Sequence, residues 1–284
     1  MDLSDVFVVT GASGFIGRAV VAALARRGEE VLGASRRAFD CNPPAKAIRV
    51  RTYAELKPPT PDSVLVHLAE PGNIAAADAE GETYAADRSA TLARLLAHDW
   101  SFVVYGSSAA VYGDEGRLPH RADEAVTPKG GYARAKVACE RTVLAAGGAV
   151  ARVANVYGRG MAPNTVLADI LRQIPGNGPL ILRDVNPVRD YLWIDDVGEG
   201  FVLLGLSRKR GIFNFGSGQG ISAGDLARLA LNCAGEIARP VRASNTVKGA
   251  SHLVLDFEAT TKALGWSPQM PINRGVSAMI SGAQ

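Results

Sequence analysis

Two residues that could exchange a proton stand four apart in the segment Gly131-Tyr-Ala-Arg-Ala-Lys136. On a helix, that spacing places the ammonium of Lys136 beside the phenol of Tyr132. A nearby cation favours the phenolate, so Tyr132 could act as an acid or base near neutral pH. Ser108 ends an apolar run and could hydrogen-bond the oxygen that gains or loses the proton. Ser108, Tyr132 and Lys136 therefore predict hydride-transfer catalysis beside a nicotinamide. The spacing alone also fits an amphipathic surface helix.

A glycine-rich turn near the start of the chain could hold the dinucleotide that such chemistry needs. An apolar run at 6–9 leads into Thr10-Gly-Ala-Ser-Gly-Phe-Ile-Gly17, and a helix-forming stretch follows. Gly11 permits a tight turn, Gly14 lets the backbone approach a pyrophosphate, and Gly17 allows close packing of helix on strand. The spacing G-x-x-G-x-x-G differs from the usual dehydrogenase fingerprint, but its strand–turn–helix context supports a phosphate site at the helix N-terminus.

The residues after the second predicted strand bear on which nicotinamide cofactor binds. The chain reads Gly33-Ala-Ser-Arg-Arg37 where a carboxylate commonly binds the adenosine ribose of NAD. A carboxylate would repel a 2′-phosphate, whereas Arg36, aided by Arg37, could bind one. NADP is therefore the expected cofactor, and NAD is the alternative. Two solvated arginines in a loop would explain the same residues.

Further motifs follow in order along the chain. They are His67-Leu-Ala69, Arg152-Val-Ala-Asn-Val-Tyr-Gly158, Arg189-Asp-Tyr-Leu-Trp-Ile-Asp-Asp-Val197, Asn214-Phe-Gly-Ser-Gly218, Asp256 and Leu264-Gly-Trp-Ser-Pro268. With the two motifs above, they resemble the extended short-chain dehydrogenase/reductase family, in its NAD-dependent epimerase/dehydratase branch, over residues 6–268. The resemblance implies a Rossmann-like, doubly wound parallel α/β sheet, a smaller C-terminal substrate-binding lobe, and an enzyme that modifies nucleotide sugars.

The resemblance also assigns residues to roles. It implies that the cofactor is bound by Gly11, Ser13, Gly14, Phe15, Ile16, Gly17, Arg36, Arg37, His67, Leu68, Ala69, Ser107, Tyr132, Lys136 and Val153. It implies that the substrate meets Ser108, Tyr132, Asn155 and Arg189. Asn155 could instead cap a strand end, and Arg189 could instead pair with Asp190 or Asp195. No metal site is expected, because Asp195 and Asp196 fit an N-cap pair better.

Departures from the family pattern narrow the expected reaction. Ala109 and Ala110 stand where the 4,6-dehydratases of the family carry an aspartate and a glutamate, so dehydration by that route is disfavoured. Near this turn the chain also lacks the cysteine of the GDP-fucose synthase pattern. The expected function is that of an NADPH-dependent reductase, and the resemblance implies a nucleotide-linked 4-keto-deoxysugar as its substrate. The alternatives are a nucleotide-sugar 4-epimerase and an NADP-sensing binding protein. Asp87 replaces the usual asparagine of the preceding helix.

Composition agrees with this reading. The 284 residues are 47% hydrophobic, enough for a large core, and the net charge of +3 comes from dispersed basic residues, which argues against nucleic-acid binding. Cys41, Cys139 and Cys233 lie far apart, as expected in a reducing compartment. The first residues suggest no signal peptide, and the apolar stretch at 19–25 is far shorter than a membrane span. A cytoplasmic protein that does not bind membranes is expected.

The pattern of elements places these motifs. Strands are predicted at 6–10, 30–34, 64–68, 102–105, 150–153 and 211–215, and helices at 15–27, 82–98, 132–146, 165–173 and 195–206. Alternation of strands and helices predicts a parallel sheet covered on both faces. We expect residues 1–157 with 189–215 to form the dinucleotide-binding domain and residues 158–188 with 216–284 to form the substrate lobe. The resemblance further implies a homodimer through the helices at 82–98 and 132–146.

Overall fold

The computed structural model describes residues 5–70, 74–245 and 251–282. Its strands are β1 (Val6–Thr10), β2 (Glu30–Ser35), β3 (Lys46–Arg49), β4 (Val64–His67), β5 (Phe102–Ser108), β6 (Ala149–Val153), β7 (Asn155–Tyr157), β8 (Leu180–Leu182), β9 (Val188–Trp193), β10 (Gly211–Phe215), β11 (Gly220–Ser222), β12 (Val241–Ala243) and β13 (His252–Leu253). Its α-helices are α1 (Phe15–Arg26), α2 (Ile74–Glu80), α3 (Glu82–Leu96), α4 (Gly130–Ala145), α5 (Val166–Gln173), α6 (Ile194–Ser207), α7 (Ala223–Cys233), α8 (Glu258–Leu264) and α9 (Ile272–Ile280).

The main sheet has seven parallel strands in the order β10-β6-β5-β4-β1-β2-β3. The chain runs outward from β1 through β2 to β3, then returns to place β4 on the other side of β1. This reversal opens a crevice at the carboxyl ends of β1 and β4, where doubly wound sheets bind their ligands. The Rossmann-like class predicted from the sequence is confirmed.

Helices cover both faces of this sheet because its strands are apolar on both sides. Phe7 and Val9 of β1 belong to a core under α1 and α6, whereas Val8 belongs to a second core with Leu92 and Cys139 of α3 and α4. Successive side chains of a strand point to opposite faces, so each central strand must read as a continuous apolar run. All five residues of β1 and of β6 are buried accordingly.

A third core lies outside the main sheet. Strand β9 pairs with β7, β11 and β13, and β8 pairs with β12. Leu167 of α5, Leu226 of α7 and Val276 of α9 are buried together beside these strands. Leu255 and Trp266, from the C-terminal part of the chain, are instead buried in the main core. The division of the chain into two lobes at the boundaries given above stays a prediction.

The predicted elements match those observed to within three residues, and the strands at 6–10 and 211–215 match at both ends. The helix predicted at 165–173 begins one residue later, because Thr165 is its N-cap and accepts a 3.3 Å hydrogen bond from the amide of Ala168. Strand β3 is absent from the strands predicted from the sequence. It is an edge strand with exposed Lys46 and Arg49, so it lacks the apolar run that marks a buried strand.

Among the described residues, no helix combines the length and the apolar character that crossing a membrane requires.

Candidate active site

The glycine turn after β1 is held too closely for larger residues. Gly11 has φ +70°, and a Cβ there would lie 2.8 Å from the carbonyl oxygen of Leu68. A Cβ on Gly17 would lie 2.2 Å from the carbonyl oxygen of Gly11. The absence of a side chain at Gly17 therefore lets the helix pack against the turn itself. The sequence had predicted that Gly17 packs the helix against a strand. Gly14 is the N-cap of α1 and supplies no side chain, so the first amides of the helix face the crevice without a side-chain cap.

The turn and the predicted catalytic helix line one cavity of about 310 Å³. It is bounded by Gly11, Gly14, Phe15, Ile16, Gly17, Leu68, Glu70, Gly106, Ser107, Tyr132, Lys136, Val153 and Phe201. The sequence pointed to all of these as cofactor-binding except Glu70, Gly106 and Phe201. The structure thus brings the glycine motif and the Tyr132–Lys136 pair to the same crevice at the carboxyl ends of the central strands.

Lys136 lines this cavity and is largely buried, with 8% of its side chain exposed. Its ammonium donates a 2.7 Å hydrogen bond to the carbonyl oxygen of Gly106 and forms an ion pair with Glu70. It lies 5.8 Å from the ring centre of Tyr132. Burial is the largest single influence and disfavours the ammonium, but the charge and hydrogen bond of Glu70, together with smaller contributions from Tyr132 and Cys139, outweigh it, so the pKa of Lys136 lies above its ordinary value. Lys136 is therefore a fixed cation beside Tyr132.

Glu70 is a site residue that the sequence analysis missed. Its carboxylate contacts Lys136 and accepts a 2.7 Å hydrogen bond from the hydroxyl of Tyr105. Burial is the largest single influence and acts to raise the pKa of Glu70, but the charge and hydrogen bond of Lys136, together with smaller contributions from His67 and Tyr105, lower it below the ordinary value. Glu70 follows the His67-Leu-Ala69 motif directly, yet its partner lies 66 residues along the chain. The two meet because β4 pairs with β5 and α4 packs on β5.

Ser107 and Ser108 end β5 and have different partners. The hydroxyl of Ser108 accepts a 3.2 Å hydrogen bond from the amide of Ala110 and so caps the short 3-10 helix Ala109–Tyr112. Its own proton stays available to a ligand, because a hydroxyl that accepts can also donate. Ser107 donates a 2.5 Å hydrogen bond to Glu140, which forms a buried ion pair with Arg152. Ser107 is thus tied into the core beneath the cavity.

His67 lies at the end of β4 and is buried. Its Nδ1 is 2.8 Å from the hydroxyl oxygen of Thr10, and its ring stacks on that of Tyr105 with centres 6.2 Å apart. Burial lowers the pKa of His67 from its ordinary 6.5 to about 4, although Glu70 acts in the opposite direction. The imidazole is therefore neutral at neutral pH and fits a structural role at the floor of the crevice.

A second cavity of about 190 Å³ shares Glu70 with the first and extends towards the ends of β2 and β3. Its lining includes Ala69 and three arginines, Arg36, Arg51 and Arg88. Arg88 pairs with Asp87 at 2.8 Å. Arg36 lies 5.9 Å from the ring centre of Tyr53. Within the described part of the chain, neither Arg36 nor Arg51 pairs with a carboxylate, so this end of the crevice is suited to an anion.

Arg37 and Ser13 lie beside these cavities, outside the set of residues that lines them. The amide of Arg37 donates a 3.1 Å hydrogen bond to the hydroxyl of Ser35, and that hydroxyl lies 2.6 Å from the hydroxyl of Ser13. This chain of contacts fastens the end of β2 to the glycine turn. Arg51 was missed by the sequence analysis because it follows β3, the strand that the pattern did not reveal.

Three of the predicted substrate residues, Ser108, Asn155 and Arg189, are not among the described residues that line the two cavities. Asn155 is exposed at the start of β7. Arg189 donates hydrogen bonds of 2.7 Å to the hydroxyl of Ser251 and 2.8 Å to the carbonyl oxygen of Val188, and it pairs with Asp114 at 3.4 Å. The alternative partners suggested for Arg189 were wrong, since Asp114 takes that place. The substrate roles of Asn155 and Arg189 stay predictions.

The aspartates after β9 also differ from expectation. Asp195 and Asp196 lie in the first turn of α6, whose N-cap is Trp193, so they are not an N-cap pair. Asp195 accepts a 2.9 Å hydrogen bond from the indole of Trp193. Asp196 accepts hydrogen bonds of 3.0 Å from the amides of Gln269 and Met270. Both carboxylates still favour the helix through its dipole, and Asp196 fastens the C-terminal segment to α6.

Comparison with known proteins agrees with this geometry. The chain is 24% identical over 201 residues to a putative UDP-glucose 4-epimerase from Methanocaldococcus jannaschii, a match covering 67% of this chain and 65% of that protein. It is 28% identical over 227 residues to dTDP-4-dehydrorhamnose reductase from Mycobacterium tuberculosis, covering 77% of this chain and 71% of that protein. The solved structure of TunA, an NAD-dependent NDP-hexosamine 5,6-dehydratase involved in tunicamycin biosynthesis, superposes with a TM-score of 0.82 at 25% identity, covering 99% of this chain and 98% of that one.

A doubly wound sheet with a glycine turn at its switch point and a Tyr–Lys pair in the same crevice defines an NAD(P)-dependent enzyme of the short-chain dehydrogenase/reductase class. The family model for the NAD dependent epimerase/dehydratase family matches residues 7–216, so the chain belongs to that family. Members of the family are epimerases, dehydratases and reductases that act on nucleotide sugars.

Proposed function

We propose that this enzyme is an NADPH-dependent reductase of a nucleotide-linked 4-keto-deoxysugar. The observation that carries the choice of cofactor is the placement of Arg36 and Arg51 around one cavity at the ends of β2 and β3, with no paired carboxylate among the described residues. A 2′-phosphate bound there would meet two guanidinium groups that are free to form charge-assisted hydrogen bonds. The proposal is that NADP(H) binds there more tightly than NAD(H).

The residues present fit a nicotinamide dinucleotide. Side chains are excluded at Gly11 and Gly17, where a Cβ would meet backbone oxygens, so the turn presents bare backbone to the crevice. The N-terminus of α1 opens onto the same cavity and favours the negative charge of a pyrophosphate. The same cavity is also lined by Lys136, Tyr132 and Val153. NADPH, when bound, supplies the hydride that reduces the substrate ketone.

The protein residues supply the proton and its control. Tyr132 donates its phenolic proton to the oxygen of the ketone as that oxygen becomes an alkoxide. The fixed charge of Lys136 favours the phenolate that remains. The proton of Ser108 hydrogen-bonds the same oxygen and orients it. Proton transfer to an oxygen held by these two hydroxyls is general acid catalysis and requires no metal ion.

Dehydration lacks the acid and base it would need beside Ser108. Ala109 is buried, and neither Ala109 nor Ala110 carries a titratable group. The second candidate function is that of a nucleotide-sugar 4-epimerase, which is the activity in the name of the Methanocaldococcus jannaschii relative. An epimerase oxidises and re-reduces its substrate within one turnover, so it shows no net consumption of NADPH.

Net oxidation of NADPH with a keto-sugar nucleotide tests the proposal. With dTDP-4-dehydrorhamnose, or a keto-sugar on another nucleotide, as substrate, we expect the enzyme to oxidise one NADPH for each alcohol that it forms. UDP-glucose converted to its 4-epimer without NADPH consumption would favour the epimerase and contradict the proposal.

The homodimer through α3 and α4 is proposed as well, and sedimentation equilibrium tests it. The cytoplasmic location is also a proposal, which fractionation of cells tests.

A further inference from the structure

We infer that Tyr53 is a positioning residue that holds the guanidinium of Arg36 ready for a 2′-phosphate and so contributes to the preference for NADP(H) over NAD(H). The inference deepens the proposed function and rests on Arg36 selecting the cofactor. Tyr53 lies in the short 3-10 helix Tyr53–Glu55, after β3, and lines the same cavity as Arg36. The central carbon of the guanidinium lies 5.9 Å from the centre of the Tyr53 ring.

The contact with this ring is what restrains the Arg36 side chain. Arg36 is exposed, and among the described residues its guanidinium has neither a hydrogen bond nor an ion pair. A cation at this distance is attracted to the face of an aromatic ring. Without the ring, the long side chain would have to be ordered by the ligand during binding, and ordering it costs conformational entropy. Tyr53 therefore lowers the entropy that a bound phosphate has to overcome.

The ring can restrain Arg36 because Tyr53 is itself held in place. Its ring is nearly perpendicular to that of the buried His67, with interplanar angle 87° and centres 6.3 Å apart. The backbone carbonyl of Tyr53 accepts a 3.1 Å hydrogen bond from the amide of Leu56. The hydroxyl of Thr52 caps the same turn by accepting a 3.3 Å hydrogen bond from the amide of Ala54. Both the ring and the backbone of Tyr53 are thus fixed before any ligand binds.

A ring contact also leaves Arg36 free to bind an anion. The N–H donors of a guanidinium lie in its plane, and an aromatic ring accepts none of them in the way that a carboxylate does. Arg88 of the same cavity shows the contrast. Its guanidinium lies 5.4 Å from the ring centre of Tyr84, but it also pairs with Asp87 at 2.8 Å. Arg36 is therefore the arginine that is held by a ring and keeps its donors for a phosphate.

The expected size of the effect follows from the exposure of Arg36. A cation–π contact at an exposed site corresponds to about two- to fivefold in a dissociation constant. Tyr53→Leu keeps an apolar side chain but removes the ring face. NADPH binding should therefore weaken by about two- to fivefold relative to NADH binding, because NADH has no 2′-phosphate for Arg36 to meet. Tyr53→Phe keeps the ring and should keep the preference.

The test measures the Kd for NADH divided by the Kd for NADPH. Fluorescence titrations of both cofactors give this ratio for the parent, Tyr53→Leu, Tyr53→Phe, Arg36→Leu and the double variant of Tyr53→Leu with Arg36→Leu. We expect Tyr53→Leu to lower the ratio by about two- to fivefold and Tyr53→Phe to leave it unchanged. When Arg36 is already leucine, Tyr53→Leu should no longer alter the ratio, which shows that Tyr53 acts through Arg36.

Three results would overturn the inference. Equal weakening of NADPH and NADH by Tyr53→Leu would mean that the ring serves the part of the cofactor that both share. A loss in Tyr53→Phe as large as that in Tyr53→Leu would mean that the hydroxyl, and not the ring, acts on the phosphate. The same fall of the ratio in the Arg36→Leu background would mean that Tyr53 acts independently of Arg36.

Two provisions separate this inference from the proposed function. If Tyr53→Leu does not fold by circular dichroism, Tyr53→Met removes the ring with a more adaptable apolar side chain and is read in the same way. A parent that prefers NADPH, with a preference that survives loss of the ring, overturns the inference and leaves the proposed cofactor choice in place. A parent without that preference overturns both.

Discussion

The ammonium of Lys136 is hydrogen-bonded at 2.7 Å to the carbonyl oxygen of Gly106, two residues before Ser108 on the same strand. This contact fixes how far along β5 the helix α4 lies. The start of α4 is fixed separately, because a Cβ on Gly131 would lie 1.9 Å from the carbonyl oxygen of Ala77 in α2. Between these two points lies Tyr132, one turn before Lys136. The position of the proposed catalytic pair is therefore set by a side-chain hydrogen bond at one end of this helical turn and by close backbone packing at the other.

Tyr132→Phe should abolish most of the activity and leave the fold intact. The change removes the exchangeable proton but keeps the ring that packs against Ala77, Tyr84 and Ala135. General acid catalysis typically contributes about 100- to 10,000-fold, so kcat should fall by that much while the Kd for cofactor barely changes. Steady-state kinetics and cofactor titration check both parts.

The matched control for this change is Tyr157→Phe. Within the described residues, the hydroxyl of Tyr157 has no hydrogen-bond partner, so its removal tests loss of a buried phenol oxygen away from the crevice. Its kcat should stay within about twofold of the parent, since no transition-state contact is lost. Near-parent turnover in Tyr132→Phe would show that another group is the acid.

Much of this arrangement could be predicted because it depends on local spacing. The apolar strands lie within three residues of their predicted bounds, and the glycine turn and the Tyr132–Lys136 pair line one cavity, while their roles stay predictions. Glu70 and Arg51 could not be found in this way. The role of Glu70 depends on which strands are neighbours, and that of Arg51 on an edge strand with no apolar pattern. Asp114 could not be predicted as the partner of Arg189 either, because the two residues are 75 positions apart in the sequence.

Lys136 and Glu70 should depend on each other for stability. Lys136→Met should reduce both the turnover rate and the affinity for cofactor, because it removes a charge and a hydrogen-bond donor from the cavity. It also leaves Glu70 buried without its cation, which should lower the free energy of unfolding. Lys136→Met combined with Glu70→Gln should recover part of that loss, with a coupling on the order of 0.5–3 kcal/mol. Urea unfolding of the four proteins measures it, and strictly additive losses would show that the pair is not coupled.

The ion pair of Glu140 and Arg152 should contribute more than any surface pair. Its atoms lie 2.7 Å apart, and each side chain is 4% exposed. Glu140→Gln leaves Arg152 buried without a counter-charge, and breaking a buried pair in this way costs about 3–5 kcal/mol in the free energy of unfolding. Glu30→Gln, in a pair with Lys46 whose side chains are 49% and 72% exposed, should cost less than about 1 kcal/mol. Similar losses in the two variants would contradict this account.

Arg36 should decide which cofactor binds best. Arg36→Asp removes a charge-assisted contact to the 2′-phosphate and adds repulsion. Because hydrogen bonds to charged groups are worth roughly 1.5–3 kcal/mol, NADPH should bind at least about tenfold more weakly. NADH should bind as before or more tightly, since the new carboxylate can meet the ribose hydroxyls. In the parent, the preference for NADPH should weaken as salt is added.

The comparison variant for cofactor choice is Arg37→Asp. It makes the same change of charge at the residue next to Arg36, but Arg37 does not line the cavity. It should weaken NADPH binding less than Arg36→Asp does. Fluorescence titration of both cofactors into the three proteins gives the affinities. If the parent binds NADH as tightly as NADPH, the arginines do not select the cofactor and the proposed reductase loses its main support.

His67 should make the fold sensitive to mild acid. Its pKa is lowered by burial from 6.5 to about 4, so between these values the unfolded chain binds a proton that the folded protein does not. The stabilisation is therefore complete above pH 6.5 and is lost progressively as the pH falls towards 4, by roughly 3 kcal/mol in the free energy of unfolding. His67→Gln keeps a polar group near the hydroxyl of Thr10 but cannot titrate. Urea unfolding at several pH values should show the parent losing stability faster than the variant over this range, because only the parent has to exclude a proton from the floor of its crevice. Parallel pH profiles for the two proteins would mean that His67 binds its proton equally well in the folded and unfolded states, so that burial does not lower its pKa.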